Sequence, residues 1–192
     1  DSNYQTLFKK AFPQEAQAIN YNNIIKAIAS FQRTLISGNS RYDQYNQQKA
    51  QLSESELRGK NLFFGEKAEC FHCHGSFNFN DQVSHAGTRV LETPFHNTGL
   101  FNIGGTGDFP FPNRGVFELP GQAQDMGKFR ASSLRNKELT APYMHDGRFN
   151  TLDQVLGHYS HNIQNDANLD ARLRNPNGTP KNLNISEGDK IA

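Results

Sequence analysis

The run Cys70-Phe71-His72-Cys73-His74 limits what this chain can be more than any other feature. Two thiols separated by two residues, with a histidine directly after, is the spacing of covalent c-type haem attachment. Each thiol forms a thioether with one vinyl group of a single haem, and the imidazole of His74 lies under the iron as proximal ligand. Cys70 and Cys73 are the only cysteines in the chain, so no other thiol competes for either of them.

Three other readings of the motif are open from the residues alone. A Cys70–Cys73 disulfide closes a very short loop and leaves His74 without a role. A structural zinc site takes four ligands, so two must come from among His85, His96, His145, His158 and His161. These contain no H-x(3–5)-H pair, because His158 and His161 are separated by only two residues. A thioredoxin-like redox pair calls for a surrounding βαβ pattern, which the sequence lacks.

The chain has 192 residues and a net charge of +1. That length suits a single c-type cytochrome domain spanning 1–192, with long functional loops. No Lys/Arg cluster resembles a nucleic-acid stripe, and no apolar run reaches membrane-spanning length. A mean hydropathy of −0.75 is low for a self-sufficient core. A buried porphyrin supplies the missing apolar volume, since its faces pack like a large aromatic side chain. The polar start Asp1-Ser2-Asn3-Tyr4 carries no signal peptide, whereas c-type attachment takes place outside the cytoplasmic membrane. The expected location is therefore the periplasm, with a leader removed or the chain being a piece of something longer. The helix-capping start at Ser186, followed by about one turn of sequence, favours the latter.

Periodicity predicts a helix over 22–37, with Ile24, Ile28, Phe31 and Leu35 on one face, Asn22 as cap and Gly38 as stop. A second helix starts at Ser53, where Ser53 and Glu56 form a capping box, and ends near Gly65, just before the cysteines. Residues 75–150 are rich in Gly, Pro, Asn and Phe without a period. They read as an irregular wrap around the cofactor, with a short helix near Ser132–Asn136. A third helix starts at the Thr151/Gln154 capping box, with Leu152, Val155, Leu156 and Tyr159 on one face. Residues 160–185 read as a polar surface excursion. No strand is convincing. The expected class is mostly α: a cytochrome c-like haem domain with long irregular loops wrapping the cofactor.

Several segments in order resemble bacterial di-haem cytochrome c peroxidases and their MauG-like relatives. They are Ala11-Phe12-Pro13, the stretch from Lys26 to Leu35, Gly59 to Phe64, the CFHCH motif and Phe95-His96-Asn97-Thr98-Gly99-Leu100. GKFRASSLRN from Gly127, LTAPYMHDG from Leu139 and TLDQVLGHY from Thr151 complete the series. The resemblance implies the C-terminal haem domain, which relays electrons or stores oxidising equivalents for peroxide-dependent oxidation. The N-terminal haem domain, where hydrogen peroxide is bound and cleaved, then lies in the same parent protein outside this chain, so no catalytic residue is assigned here. A small redox donor or a protein substrate is the implied partner. Phe95 to Leu100, the Gly/Pro loop and Asp125 to Arg130 most resemble the methanobactin-associated di-haem subgroup, whose members are thought to oxidise a tryptophan on a partner protein.

The resemblance also implies roles. Cys70 and Cys73 attach haem c, and His74 is the proximal iron ligand. Fourteen residues beyond His145 the peroxidases place a distal methionine, and this chain has Tyr159 there, as MauG-like enzymes do (159 − 145 = 14). Met144 is the alternative distal ligand, and Met126 a weaker one. Thr140 and Pro142 match positions whose backbone carbonyls help bind calcium. Arg130 and Arg135 are placed to face the haem propionates or the region between two haems, with a solvated surface charge as the plain reading for Arg130. Ser132 stands where relatives often have proline. A tyrosinate is a harder, anionic donor than methionine and favours oxidised iron. From the residues alone, Tyr159 is equally an ordinary core tyrosine. His145 either bonds near the haem or anchors the Asp146-Gly147 turn, His96 is structural in its loop, and His72 is a solvent-facing spacer. A stand-alone mono-haem electron carrier and a zinc-stabilised interaction domain are the alternatives to a peroxidase-type haem oxidoreductase.

Overall fold

The structure, a computed structural model, describes residues 1–84, 86–88, 94–119 and 121–191. His85, one of the zinc candidates, lies outside the described residues. The 192 residues expected to form one domain divide into two compact units, Asp1–Gln47 and Gln48–Ala192. Helix is the regular element of both; the described residues hold isolated β-bridges and no strand.

The first unit contains α1 (Ser2–Ala11), α2 (Tyr21–Thr34) and α3 (Arg41–Asn46). The second of these is the helix expected over 22–37, displaced at both ends. Its cap is Asn20 rather than Asn22, because the Asn20 side chain accepts from the Asn23 amide at 3.0 Å. Asn23 is itself buried and donates to Glu15 and the Ala18 carbonyl, which ties the connecting turn to the helix start. The helix ends before Leu35, short of Gly38. Of the apolar stripe, Ile28, Phe31 and Leu35 are more than half exposed. Sequence reading missed α1, capped by Asp1, and α3, closed by a Ser40/Asp43 capping box.

The second unit begins with α4 (Glu54–Phe63), whose Ser53/Glu56 capping box forms as expected. The single-turn α5 (Phe71–His74) follows. The long irregular stretch is real; its described helical pieces are 3-10 turns at Val116–Glu118, Ala123–Asp125 and, just past the expected Ser132–Asn136, at Lys137–Leu139. There Asn136 takes a left-handed φ of 60°, which ends any helical run through Arg135. Next, α6 (Leu152–Gly157) starts at the Thr151/Gln154 capping box and passes into a π-turn over His158–Asn162. The last helix, α7 (Glu187–Lys190), has a Ser186/Asp189 capping box.

Two apolar clusters organise this unit. One joins Ala68, Leu183 and Ile185, with Leu62, Cys70, Leu156 and Tyr159 packed against it. The other joins Leu100, Phe109 and Met126, with Phe101, Phe117, Phe129, Met144 and Phe149 around it. Residues 160–185 are thus no surface excursion: Ile163, Leu169, Leu183 and Ile185 are all buried. The asparagines of this stretch do not show it, because most of them face solvent while the aliphatic residues and Asp166 between them are buried. Asn97 and Asp166 are both fully buried and bonded to each other at 2.6 Å. Asn97 also donates to the Met126 carbonyl and accepts from the Gly99 amide, so one side chain pins three segments.

Gly127 lies where those segments meet. Its φ is +73°, and a Cβ there would stand 2.2 Å from Phe109 and 2.6 Å from the Asn97 amide nitrogen. Gly127→Ala should therefore destabilise the protein by roughly 2–5 kcal/mol, combining left-handed strain with overpacking. Urea unfolding followed by circular dichroism checks this; a loss below about 1 kcal/mol would contradict it.

Candidate haem site

The chain delivers the motif on α5. On one helical turn, positions i, i+3 and i+4 share a face. Cys70, Cys73 and His74 therefore point the same way and are partly buried, while His72 points out and is exposed. Both thiols are free. Burial pushes the Cys70 thiol up to about 11, so it remains a neutral thiol pressed against the Ala68 cluster.

The His74 ring is set by the loop that follows it. Its Nδ1 donates to the Phe79 carbonyl at 2.9 Å, which leaves Nε2 free to bind a metal. Burial also holds His74 below the usual imidazole range, in the neutral form that ligation requires. The loop is held from a distance. The Ser133 hydroxyl donates to the Asn78 carbonyl at 2.6 Å, and the Arg135 guanidinium donates to the Phe77 carbonyl at 2.5 and 3.1 Å. The same guanidinium lies 5.5 Å over the Phe79 ring. Arg135, expected to face a propionate or the region between two haems, donates to the backbone of the loop that orients His74.

Tyr159 sits in the π-turn and packs on the same apolar cluster as Cys70. Burial, with the two thiols close enough to add repulsion, pushes its phenol well above the ordinary value. Its ring meets His158 edge-on at 5.2 Å. His158 is buried, and its Nε2 donates to the Thr98 carbonyl at 2.9 Å.

The other candidates lie apart from that cluster. Met144 and Met126 belong to the Phe109 cluster. Arg130 is exposed, with its guanidinium 5.4 Å over the Phe95 ring. Thr140 and Pro142 are exposed and flank Ala141. His145 stacks on Phe129 with centroids 3.7 Å apart, its Nε2 buried without a hydrogen bond, and burial holds it below the usual imidazole range.

His96 is buried between two carboxylates, with Nδ1 on Asp170 at 2.6 Å and Nε2 on Asp81 at 2.5 Å. Asp81, Cys73 and His96 present donor atoms within 4.8 Å of one another. That triad includes one cysteine of the pair, whereas a zinc site built on the motif would use both sulfurs. Sequence reading missed the partners Asp81, Asp170, Ser133 and Thr98. Thr98 and Ser133 lay within quoted motifs, whereas Asp170 meets His96 across 74 residues.

The Asp170 hydrogen bond, then Cys73 and Asp81, raise His96 to about 10 against the opposing effect of burial. An unfolded histidine titrates near 6.5. The imidazolium therefore stabilises the fold fully below about pH 6.5, and this contribution is lost as pH rises towards 10. The stability difference between wild type and His96→Gln should shrink steadily over that window in urea titrations. A difference that does not vary with pH would show that His96 is not held as the cation.

A family model described as di-haem cytochrome c peroxidase matches residues 1–51, within which the whole first unit falls. The methylamine utilization protein MauG of Methylorubrum extorquens is 34% identical over 157 residues, covering 81% of this chain and 39% of that protein. The cytochrome c551 peroxidase of Nitrosomonas europaea is 33% identical over 154 residues, covering 80% and 41%. A solved MauG-like protein associated with microbial copper homeostasis is 47% identical with a TM-score of 0.81, covering all of this chain and 56% of its own. The chain thus spans about two fifths of the length of these curated relatives. On sequence and structure together, this chain belongs to the di-haem cytochrome c peroxidase and MauG-like family.

Proposed function

We propose that residues 48–192 form a haem c domain of a peroxidase-type oxidoreductase, relaying electrons or storing oxidising equivalents for a second haem domain of the same parent protein. One observation carries the reading: Cys70 and Tyr159 pack on one apolar cluster, while the Nδ1 bond of His74 to the Phe79 carbonyl leaves Nε2 free.

The donor set fits the cofactor. Cys70 and Cys73 would attach it, His74 would supply the proximal nitrogen and Tyr159 the distal oxygen. When bound, haem supplies reversible one-electron chemistry, while the protein sets ligation, burial and orientation. The apolar cluster beside Tyr159 keeps water from that side. The Ser133 and Arg135 contacts keep His74 from rotating away from its ligating direction.

With His74 and Tyr159 both holding the haem, the domain would serve as a relay and would leave peroxide cleavage to the second haem domain. Peroxide as oxidant, a small redox donor or protein substrate, and a periplasmic location complete the proposal. No helix among the described residues is long and apolar enough to cross a membrane, which is compatible with that location.

Material from a host competent in cytochrome maturation should carry one haem resistant to acid–acetone extraction, and Cys70→Ala with Cys73→Ala should abolish covalent retention. In the ferric protein, Tyr159→Phe should speed cyanide binding by at least about tenfold, a barrier change of ~1.4 kcal/mol. Equal rates in wild type and Tyr159→Phe would remove the relay reading.

A further inference from the structure

Phe79, whose carbonyl accepts from His74 Nδ1 at 2.9 Å, sits in the left-handed region with a φ of 53°. A phenylalanine there is strained. Relaxation to an extended φ would swing the acceptor carbonyl away from the imidazole. The backbone on both flanks has to be fixed to prevent that. On one flank Ser133 and Arg135 hold the carbonyls of Asn78 and Phe77. On the other, the Ser76 hydroxyl donates to the Asn80 carbonyl at 2.5 Å, a contact within the same loop. Beyond it, Asp81 ties the loop to a segment more distant in sequence.

Both oxygens of the Asp81 carboxylate are held. Oδ2 accepts from His96 Nε2 at 2.5 Å, and Oδ1 accepts from Gln82 Nε2 at 2.8 Å. Gln82 Nε2 also donates to the Pro94 carbonyl at 2.6 Å. Asp81 and its neighbour are thus bound to one short stretch, residues 94–96. That stretch is itself fixed. The His96 side chain is 5% exposed, and its Nδ1 donates to Asp170 at 2.6 Å. Its backbone exchanges two hydrogen bonds with Phe129, at 2.7 and 2.9 Å. Each ring nitrogen of His96 faces a carboxylate, so both carry protons and neither bond is lost to a change of tautomer.

We propose that Asp81 is a positioning residue for the proximal histidine: its doubly held carboxylate keeps Phe79 left-handed, and so keeps the carbonyl on His74 Nδ1. The proposal rests on haem c being held by Cys70, Cys73 and His74. A hydrogen bond given by Nδ1 raises the basicity of the ligating nitrogen. A more basic ligand favours ferric over ferrous iron. Asp81 therefore lowers the reduction potential of the site, although it touches neither the ligand ring nor the iron position.

The test compares midpoint potentials of the haem-loaded chain. Asp81→Ala and Asp81→Asn both remove the negative charge, but asparagine keeps an oxygen for His96 and alanine keeps no acceptor. The potential of Asp81→Ala should therefore lie above that of Asp81→Asn, a difference that loss of charge would not produce. Gln82→Ala leaves the charge in place and frees one oxygen, so its potential should lie above that of wild type. It decides the matter should Asp81→Ala fail to fold. His74→Ala separates the two claims. If it abolishes the covalent haem or the wild-type axial signature in ferric EPR spectra, the haem reading stands. Equal potentials in Asp81→Ala and Asp81→Asn, or in Gln82→Ala and wild type where alanine at 81 does not fold, then overturn the role of Asp81 alone. If His74→Ala keeps haem and signature unchanged, the ligation by His74 and the role of Asp81 are both overturned.

Discussion

The hydrogen bond from His74 Nδ1 to the Phe79 carbonyl is the contact on which the site turns. An imidazole on a single-turn helix is free to rotate about two side-chain torsions, and only one orientation offers Nε2 to a ligand lying over the cysteine face. A carbonyl acceptor five residues later selects that orientation and the matching tautomer together. The acceptor must itself be fixed, however, and Phe79 lies in an irregular loop with a left-handed φ of 53°. Ser133 and Arg135, more than fifty residues away, hold the carbonyls of Asn78 and Phe77. The orientation of the His74 ring is therefore a property of the whole unit rather than of the motif.

A similar economy explains how a chain with 35% hydrophobic residues holds its second unit together. The apolar clusters are small, and the space between them is bridged by buried polar groups with their hydrogen bonds made. Asn97 and Asp166 join the 97–99 segment to the segment after the π-turn, while His96 joins Asp81 and Asp170. Each such link is costly to break on one side, because the remaining partner is left buried and unsatisfied. This makes the irregular loops specific without making them apolar. It also places Thr98, the neighbour of Asn97, with little freedom to move.

Local chemistry was legible in the sequence. The capping boxes at Ser53/Glu56 and Thr151/Gln154 form as their spacing implies, because both partners of a capping box lie within one turn. The apolar stripe of α2 was legible as a stripe, but its burial was not. Periodicity reports which residues share a face and says nothing of what stands opposite. Residues 160–185 misled in the other direction. Most of their asparagines do face solvent, yet the structure buries Asp166 together with Ile163, Leu169, Leu183 and Ile185. Composition cannot distinguish a polar group facing water from one whose hydrogen bonds are made inside.

The amino-acid order by itself determined the nature of the site: two thiols and an imidazole on one helical face, and a tyrosine on the inward face of a later helix. Those facts depend on separations of a few residues, and helical geometry alone converts them into shared faces. Only the tertiary structure decided which side chains complete the site. The choice of Ser133 and Arg135 to hold the loop beside His74, and of Asp81 and Asp170 around His96, depends on loops that close over 15 to 74 residues. No local periodicity encodes such closures; they are selected by which buried polar groups can all be satisfied at once.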